Sequence, residues 1–145
     1  MKTILLVEDD SASLIALALL LRSRGYGVIE SSDGEEAINV CLEHRGPIDL
    51  LLMDFELGGS NAGPQLAQWL LELSPEMQVL FLFNSPPDML SDAGALPWGC
   101  AVLQEPFSPE ELVRAVRETL SGIPLTAPGL GVPTSLTAPP RIPCK

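Results

Sequence analysis

The sequence has 145 residues, the usual size of one domain, and 46% of them are hydrophobic, enough for a buried core. Its 19 acidic residues outnumber its 8 lysines and arginines, so the net charge is −11. This charge argues against binding to nucleic acid or anionic lipid, because both partners need basic side chains. The three cysteines are odd in number and far apart, which fits neither a disulfide framework nor a zinc cluster and favours a cytoplasmic protein.

The composition changes sharply near residue 120. Residues 1–120 contain all 19 acidic residues and 6 of the 8 basic ones, whereas 9 of the 25 residues in 121–145 are proline or glycine. We therefore predict a folded domain over 1–120 and a flexible tail over 121–145. Residues 139–143 could alternatively be a ligand for an aromatic groove. The apolar run at 14–21 is too short for a membrane span, so we expect no membrane segment.

Short apolar runs alternate with helix-like segments along the first 120 residues. The runs that predict strands lie at residues 4–7, 28–29, 50–53, 79–83 and 101–103. The segments that predict helices lie at residues 11–24, 34–43, 63–73, 87–93 and 109–120. Capping-box patterns at Asp33–Glu36 and Ser108–Glu111 support two of the helix starts. This alternation predicts an α/β domain with a doubly wound parallel sheet.

Acidic residues directly follow two of the predicted strands. Glu8 and Asp9 leave the first strand and Asp54 ends the third, so these carboxylates should share the edge of the sheet where ligands bind. Clustered carboxylate oxygens suit Mg²⁺, and a carboxylate can accept a phosphoryl group from a metal-bound donor. Asp10 is more simply explained as the cap of the first helix. We expect the Asp9 and Asp54 carboxylates to lie within about 6 Å of each other.

Three segments together resemble the receiver domain of two-component response regulators. They are ILLVEDD at residues 4–10, DLLLMD at residues 49–54 and QEPFSPEEL at residues 104–112. The resemblance implies a flavodoxin-like sheet in the order 2-1-3-4-5 and transfer of a phosphoryl group from a kinase phosphohistidine to Asp54. It also implies Mg²⁺ bound by Glu8, Asp9, Asp54 and the main-chain carbonyl of Glu56. A cis peptide bond before Pro106 is implied as well.

The same resemblance exposes three departures from the family pattern. Receivers have a threonine or serine at the position of Phe83, an aromatic switch residue at Val102 and a lysine at Glu105. A ring at Phe83 supplies no hydroxyl and could fill the place of the phosphoryl group. A carboxylate at Glu105 would repel that group instead of pairing with it. We therefore expect phosphorylation of Asp54 to be weak or absent.

Three functions follow as hypotheses. The first is a single-domain receiver that signals through contacts with a downstream protein, with a histidine kinase or phosphotransfer protein as its input partner. The second is a conventional phosphorylated receiver that uses Asp54. The third is a Mg²⁺-dependent phosphoryl-transfer enzyme with a Toprim-like arrangement of acids. We favour the first, with no enzymatic activity beyond self-phosphorylation, and leave a homodimer open.

Overall fold

The fold follows from the alternation of buried strands and amphipathic helices. The computed structural model describes residues 1–57, 63–84 and 101–122. In chain order its elements are β1 (Thr3–Val7), α1 (Ser11–Ser23), β2 (Gly27–Ser31), α2 (Gly34–Glu43), β3 (Leu50–Asp54), α3 (Gly63–Leu73), β4 (Gln78–Phe83), β5 (Ala101–Gln104) and α4 (Pro109–Ser121). The helix expected over 87–93 and the tail expected over 121–145, apart from residues 121 and 122, lie outside the described residues.

The strands form one five-stranded sheet in the order β2-β1-β3-β4-β5. Every pairing is parallel, which confirms the predicted architecture. Because all strands run the same way, their carboxyl ends lie along one edge of the sheet, where ligands bind in open α/β folds. The order also makes β3 the central strand, between β1 and β4.

Helices cover both faces of the sheet and enclose two hydrophobic clusters. One cluster packs side chains of α2 and α3 against the sheet, including Ala37, Leu66 and Leu70. The other packs α1 and α4 against the opposite face, including Leu21 and Val116. Burial on both faces explains why β1, β3 and β4 are apolar at consecutive positions rather than alternating.

The helix ends are fixed by local hydrogen bonds. Ser108 and Glu111 form the predicted reciprocal capping box at the start of α4. At α2 the arrangement differs from prediction, because the Glu36 carboxylate accepts from the backbone N–H of Ser32 at 2.7 Å rather than from Asp33. Asp33 nevertheless caps the helix by accepting from Glu36 N–H at 2.8 Å. Gly122 caps the C-terminus of α4, and its φ of 76° is the left-handed conformation that favours glycine.

Candidate functional site

Three carboxylates meet at the carboxyl edge of β1 and β3. One oxygen from each of Glu8, Asp9 and Asp54 can be chosen so that all three lie within 4.8 Å of one another. The expected proximity of Asp9 and Asp54 is therefore confirmed. It arises because β1 and β3 pair directly, with Val7 opposite Met53, so the residues that follow Val7 and Met53 lie at the same edge of the sheet.

Glu8 is the most deeply placed of the three acids. Only 7% of its surface is exposed, which is unusual for a glutamate. Its backbone N–H donates to the carbonyl of Ser31 at 3.1 Å, and its Oε2 accepts from Asp10 N–H at 3.2 Å. The Asp10 side chain accepts from Ser13 N–H at 2.9 Å, which makes Asp10 the cap of α1 as predicted. The turn after β1 thus holds Glu8 inward and directs Asp10 to the helix.

Asp54 is held by the turn that follows β3. Its Oδ1 accepts from the backbone N–H of Glu56 at 3.2 Å, and Phe55 N–H donates to the carbonyl of Leu82 at 2.8 Å. The start of α3 packs directly on this turn at Gly63, where a Cβ would overlap the backbone carbonyls of Asp54 and Phe55. Glycine is therefore required there for the close approach. This role of Gly63 was not predicted from the sequence, because a glycine at a helix start carries no distinctive signal.

Three acids at this edge, Glu8, Asp54 and Glu105, have pKa values above the ordinary range of a carboxyl group. Burial is the main reason that the pKa of Glu8 is raised to about 7. The hydrogen bond from Asp10 opposes this rise, and the nearby negative charges add to it. The pKa of Asp54 and the pKa of Glu105 are also raised, again chiefly by burial. A cation would relieve these costs, because it favours the ionised form of each carboxylate.

Phe83 occupies the carboxyl end of β4. Its side chain is 1% exposed and belongs to the cluster beneath α2 and α3. The ring lies edge-on to Phe55, with centroids 5.1 Å apart, and Phe55 makes a second edge-on contact with Phe81 at 5.4 Å. The ring of Phe83 therefore packs in the core. For the site, a phenylalanine at this position means that no side-chain hydroxyl is present there. The alternation of Phe81 and Phe83 along β4 is the signal that could have placed both on one face.

Glu105 leaves β5 beside Phe83. Its N–H donates to the carbonyl of Phe83 at 2.8 Å, and the Gln104 side-chain amide donates to the same carbonyl at 3.1 Å. The Glu105–Pro106 peptide bond is cis, as predicted. Val102, at the expected aromatic position, is buried opposite Phe81 in the β4–β5 pairing. The ends of β4 and β5 are thus joined by hydrogen bonds to the Phe83 carbonyl, but they carry an acid and apolar side chains.

The two neighbouring parts of this edge have different chemistry. We call Glu8, Asp9 and Asp54 the acidic pocket, and Phe83, Val102 and Glu105 the β4–β5 edge. The donor set of the acidic pocket fits Mg²⁺, which prefers carboxylate oxygens and keeps several waters. The β4–β5 edge offers neither a side-chain hydroxyl nor a cation at these three positions.

Comparisons with known proteins agree with this geometry. The model of the response regulator receiver domain family matches residues 4–117. The chain therefore belongs to the response regulator receiver family, which functions in two-component signalling. The match favours the receiver hypothesis over the Toprim-like alternative. Receivers are regulatory domains that interact with histidine kinases or phosphotransfer proteins and generally bind Mg²⁺ through acidic residues.

Several curated relatives share this region at about one-third identity. The chain is 30% identical to the response regulator receiver protein CpdR of Brucella abortus, over 83% of this chain and 98% of that protein. It is also 30% identical to the sensor kinase CckA of the same organism and 33% identical to the regulatory protein YbdJ of Bacillus subtilis, over 81% of this chain in each case. The chain spans only 12% of CckA and 50% of YbdJ.

Solved structures show the same fold. A response regulator receiver protein from Sinorhizobium medicae superimposes with a TM-score of 0.70 at 26% identity, covering 83% of this chain and 94% of that one. The receiver domain of the hybrid histidine kinase CckA gives a TM-score of 0.60 at 33% identity, covering 81% of this chain and 98% of that one.

None of the helices in the described part of the chain has the length and hydropathy that a membrane span requires.

Proposed function

We propose that this chain is an atypical receiver that signals through contacts with a downstream protein, with phosphorylation of Asp54 weak or absent. The observation that carries the proposal is a carboxylate, Glu105, close to the other acids of the site. Burial raises the pKa of Glu105, and the negative charges of Asp54 and Glu56 raise it further. Glu105 therefore lies within electrostatic reach of the phosphoacceptor position. A family lysine at this position would attract a phosphoryl group, whereas a glutamate repels it.

The acidic pocket supports cation binding. Glu8, Asp9 and Asp54 would hold Mg²⁺ through their carboxylates, and the main-chain carbonyl of Glu56 would complete the protein ligands, as the family pattern implies. When bound, the metal neutralises charge on an incoming phosphoryl group. The chain's own contribution is to hold these oxygens together with fixed backbone contacts, such as the Glu56 N–H donated to Asp54.

The β4–β5 edge opposes phosphorylation of Asp54. Exchanging a lysine for a glutamate changes the local charge by two units beside an acidic pocket. At an effective dielectric constant near 20, the repulsion between Glu105 and an aspartyl phosphate would be of order several kcal/mol. Phe83 adds to this effect because it has no hydroxyl to donate to the phosphoryl oxygens. Val102 replaces the aromatic side chain that the family uses to relay the change.

The broader arrangement is part of the same proposal. Residues 1–120 are the receiver domain in this proposal, since all the acidic residues of the chain lie within them. The protein acts in the cytoplasm, since the family is typically soluble, and it has no enzymatic activity beyond self-phosphorylation. Input comes from a histidine kinase or phosphotransfer protein, and output goes to a protein partner or to a second copy of the chain.

Acetyl phosphate labelling tests the proposal. The full chain is incubated with acetyl phosphate and Mg²⁺, and phosphorylation is followed by intact mass, with a conventional receiver treated in parallel to show that the donor is active. We expect a small labelled fraction or none, and Asp54→Asn must abolish any label. Full labelling of the wild type at Asp54 would contradict the proposal and establish the conventional receiver.

A further inference from the structure

Large apolar side chains are exposed on the outer surface of α2 and α3. In the described part of the chain, Leu42 of α2 is 61% exposed, and Trp69 and Leu73 of α3 are 50% and 40% exposed. Trp69 and Leu73 are one helical turn apart, so they lie on the same side of α3. The core beneath these helices is built by inward residues such as Ala37 and Leu70, and the three exposed side chains are not part of it.

The two helices pack side by side at their N-terminal ends. A Cβ placed on Gly34 of α2 would lie 3.1 Å from a methyl carbon of Leu66 on α3. Leu73 comes seven residues after Leu66, and residues two turns apart share one side of a helix. Leu73, and Trp69 with it, therefore lie on the side of α3 that faces α2.

A second contact joins the helices near their C-terminal ends. The side chains of Cys41 and Ser74 are hydrogen-bonded to each other. Leu42 directly follows Cys41, and Leu73 directly precedes Ser74, so both leucines lie next to this contact. We call Leu42, Trp69 and Leu73 the α2–α3 surface. Its three apolar side chains flank one junction between two helices instead of being scattered singly, and such a patch indicates an interaction site.

The charged residues around the α2–α3 surface are acidic. Within these two helices every charged residue is an exposed glutamate, and these are Glu35, Glu36, Glu43 and Glu72. The first arginine after α2 is Arg45, in the loop that leads to β3. A symmetric contact between two copies would bring the same glutamates together, so the charge disfavours a second copy. It favours a partner whose apolar residues are flanked by lysine or arginine.

We propose that the α2–α3 surface is a docking site for a basic amphipathic helix of a partner protein. An amphipathic helix can lay its apolar side chains along the groove between two packed helices. Trp69 is the main anchor, because tryptophan is enriched among the residues that carry most of the energy of an interface. The inference rests on the proposed function and deepens it, since it names the surface and the partner chemistry of the output contact.

Binding of a model peptide to the full chain tests the inference. The probe is a fluorescein-labelled peptide of leucine and lysine, about 18 residues long, with its leucines at helical spacing. Fluorescence anisotropy gives the Kd, and amide chemical shifts of the labelled chain locate the bound peptide. One control peptide has the same composition with the leucines scrambled, and a second has glutamate in place of every lysine.

Three variants locate the binding energy. Trp69→Ala and Leu42→Ser remove apolar contacts of the α2–α3 surface. The matched control is Leu19→Ser on α1, because Leu19 is 62% exposed, almost the same as Leu42, and α1 covers the opposite face of the sheet. Thermal unfolding checks that each variant is folded.

We expect Trp69→Ala to weaken binding of the leucine–lysine peptide at least about tenfold and Leu42→Ser about fivefold. Leu19→Ser should bind like the wild type, and both control peptides should bind at least about tenfold more weakly. Absence of binding, equal affinity for wild type and Trp69→Ala, or an equal loss in Leu19→Ser would overturn the inference. Shifts centred on the acidic pocket would also overturn it. So would self-association of the wild type in sedimentation that Leu42→Ser abolishes, because a second copy would then be the occupant.

The two proposals fail in different ways. Loss of the predicted peptide binding, together with an unlabelled wild type, would remove the inference and leave the proposed function standing. Full labelling of the wild type by acetyl phosphate would remove the proposed function. Peptide binding that Trp69→Ala weakens would then still establish the docking site, but in a conventional receiver.

Discussion

The acidic pocket and the β4–β5 edge are neighbours at one end of the sheet, but they are built by different means. The pocket consists of side chains at the ends of paired strands: Glu8 directly follows β1, Asp54 is the last residue of β3, and both accept hydrogen bonds from nearby backbone N–H groups. At the β4–β5 edge, Phe83 and Val102 are strand residues whose side chains belong to the core. Only Glu105 lies beyond the last residue of its strand.

This difference shows how one half of a site can change while the other is retained. Phe83 and Val102 are buried strand residues, so an apolar replacement at either position is absorbed by the core beneath α2 and α3. The Asp54 side chain is not part of that core, although its neighbours Met53 and Phe55 are. The acidic pocket can therefore keep its arrangement although the phosphate-binding positions differ. It follows that the two halves should differ in what a mutation does: changes at buried β4–β5 positions should act mainly on stability, and changes in the acidic pocket mainly on pH dependence and cation binding.

The largest expected effect is on the stability of the β4–β5 edge. Truncating Phe83 to alanine removes a fully buried ring and its contact with Phe55, so we expect a loss of about 3–5 kcal/mol in the free energy of unfolding. Urea denaturation measures it. The matched aromatic control is Trp69→Ala on α3, where the ring is 50% exposed and the loss should be clearly smaller. A loss below about 1 kcal/mol at Phe83 would mean that its ring does not support the core.

The next effect is the pH dependence that the acidic pocket imposes. The folded-state pKa of Glu8 is about 7 and its ordinary value is 4.5, so the folded protein binds a proton that the unfolded chain has released between these values. Stability should therefore fall as pH rises through this window, by about 3 kcal/mol from Glu8. Urea denaturation in a chelator from pH 4.5 to 8 measures the slope.

Two controls sharpen the pH experiment. Glu8→Gln should flatten the decline without abolishing it, because the raised pKa values of Asp54 and Glu105 act with the same sign. Saturating Mg²⁺ should restore stability at the alkaline end, where the carboxylates are ionised. A wild-type stability that is constant or rising between pH 5 and 7 in the chelator would contradict the account of the pocket.

Much of the fold could be predicted because its signals are local. The apolar run at residues 50–53 identified β3, and the sequence Ser108-Pro109-Glu110-Glu111 identified the start of α4. Because neighbouring parallel strands end at the same edge of a sheet, the sequence also predicted that Asp9 and Asp54 lie close together. β2 was predicted at only residues 28–29 but extends over Gly27–Ser31. Its apolar run is short because Glu30 is exposed and forms an ion pair with Arg22 of α1 at 2.8 Å.

The features that escaped prediction depend on packing between distant segments. The burial of Glu8 depends on the turn after β1 and on the Ser31 carbonyl of β2. The role of Gly63 depends on the distance between α3 and the turn after β3. The packing of Phe83 on Phe55 joins two strands that are separated by a helix. In each case the sequence identified the residue type but not its partner.

The rate of Asp54 labelling in Glu105→Lys tests the central claim most directly, because it reverses the one charge that separates the two halves. Acetyl phosphate in saturating Mg²⁺ is the donor, and intact mass gives the labelled fraction of wild type and variant over time. We expect Glu105→Lys to label at least about tenfold faster than the wild type, and Asp54→Asn in the same background to remain unlabelled. Equal rates in wild type and Glu105→Lys would contradict the claim that Glu105 controls phosphate at this site.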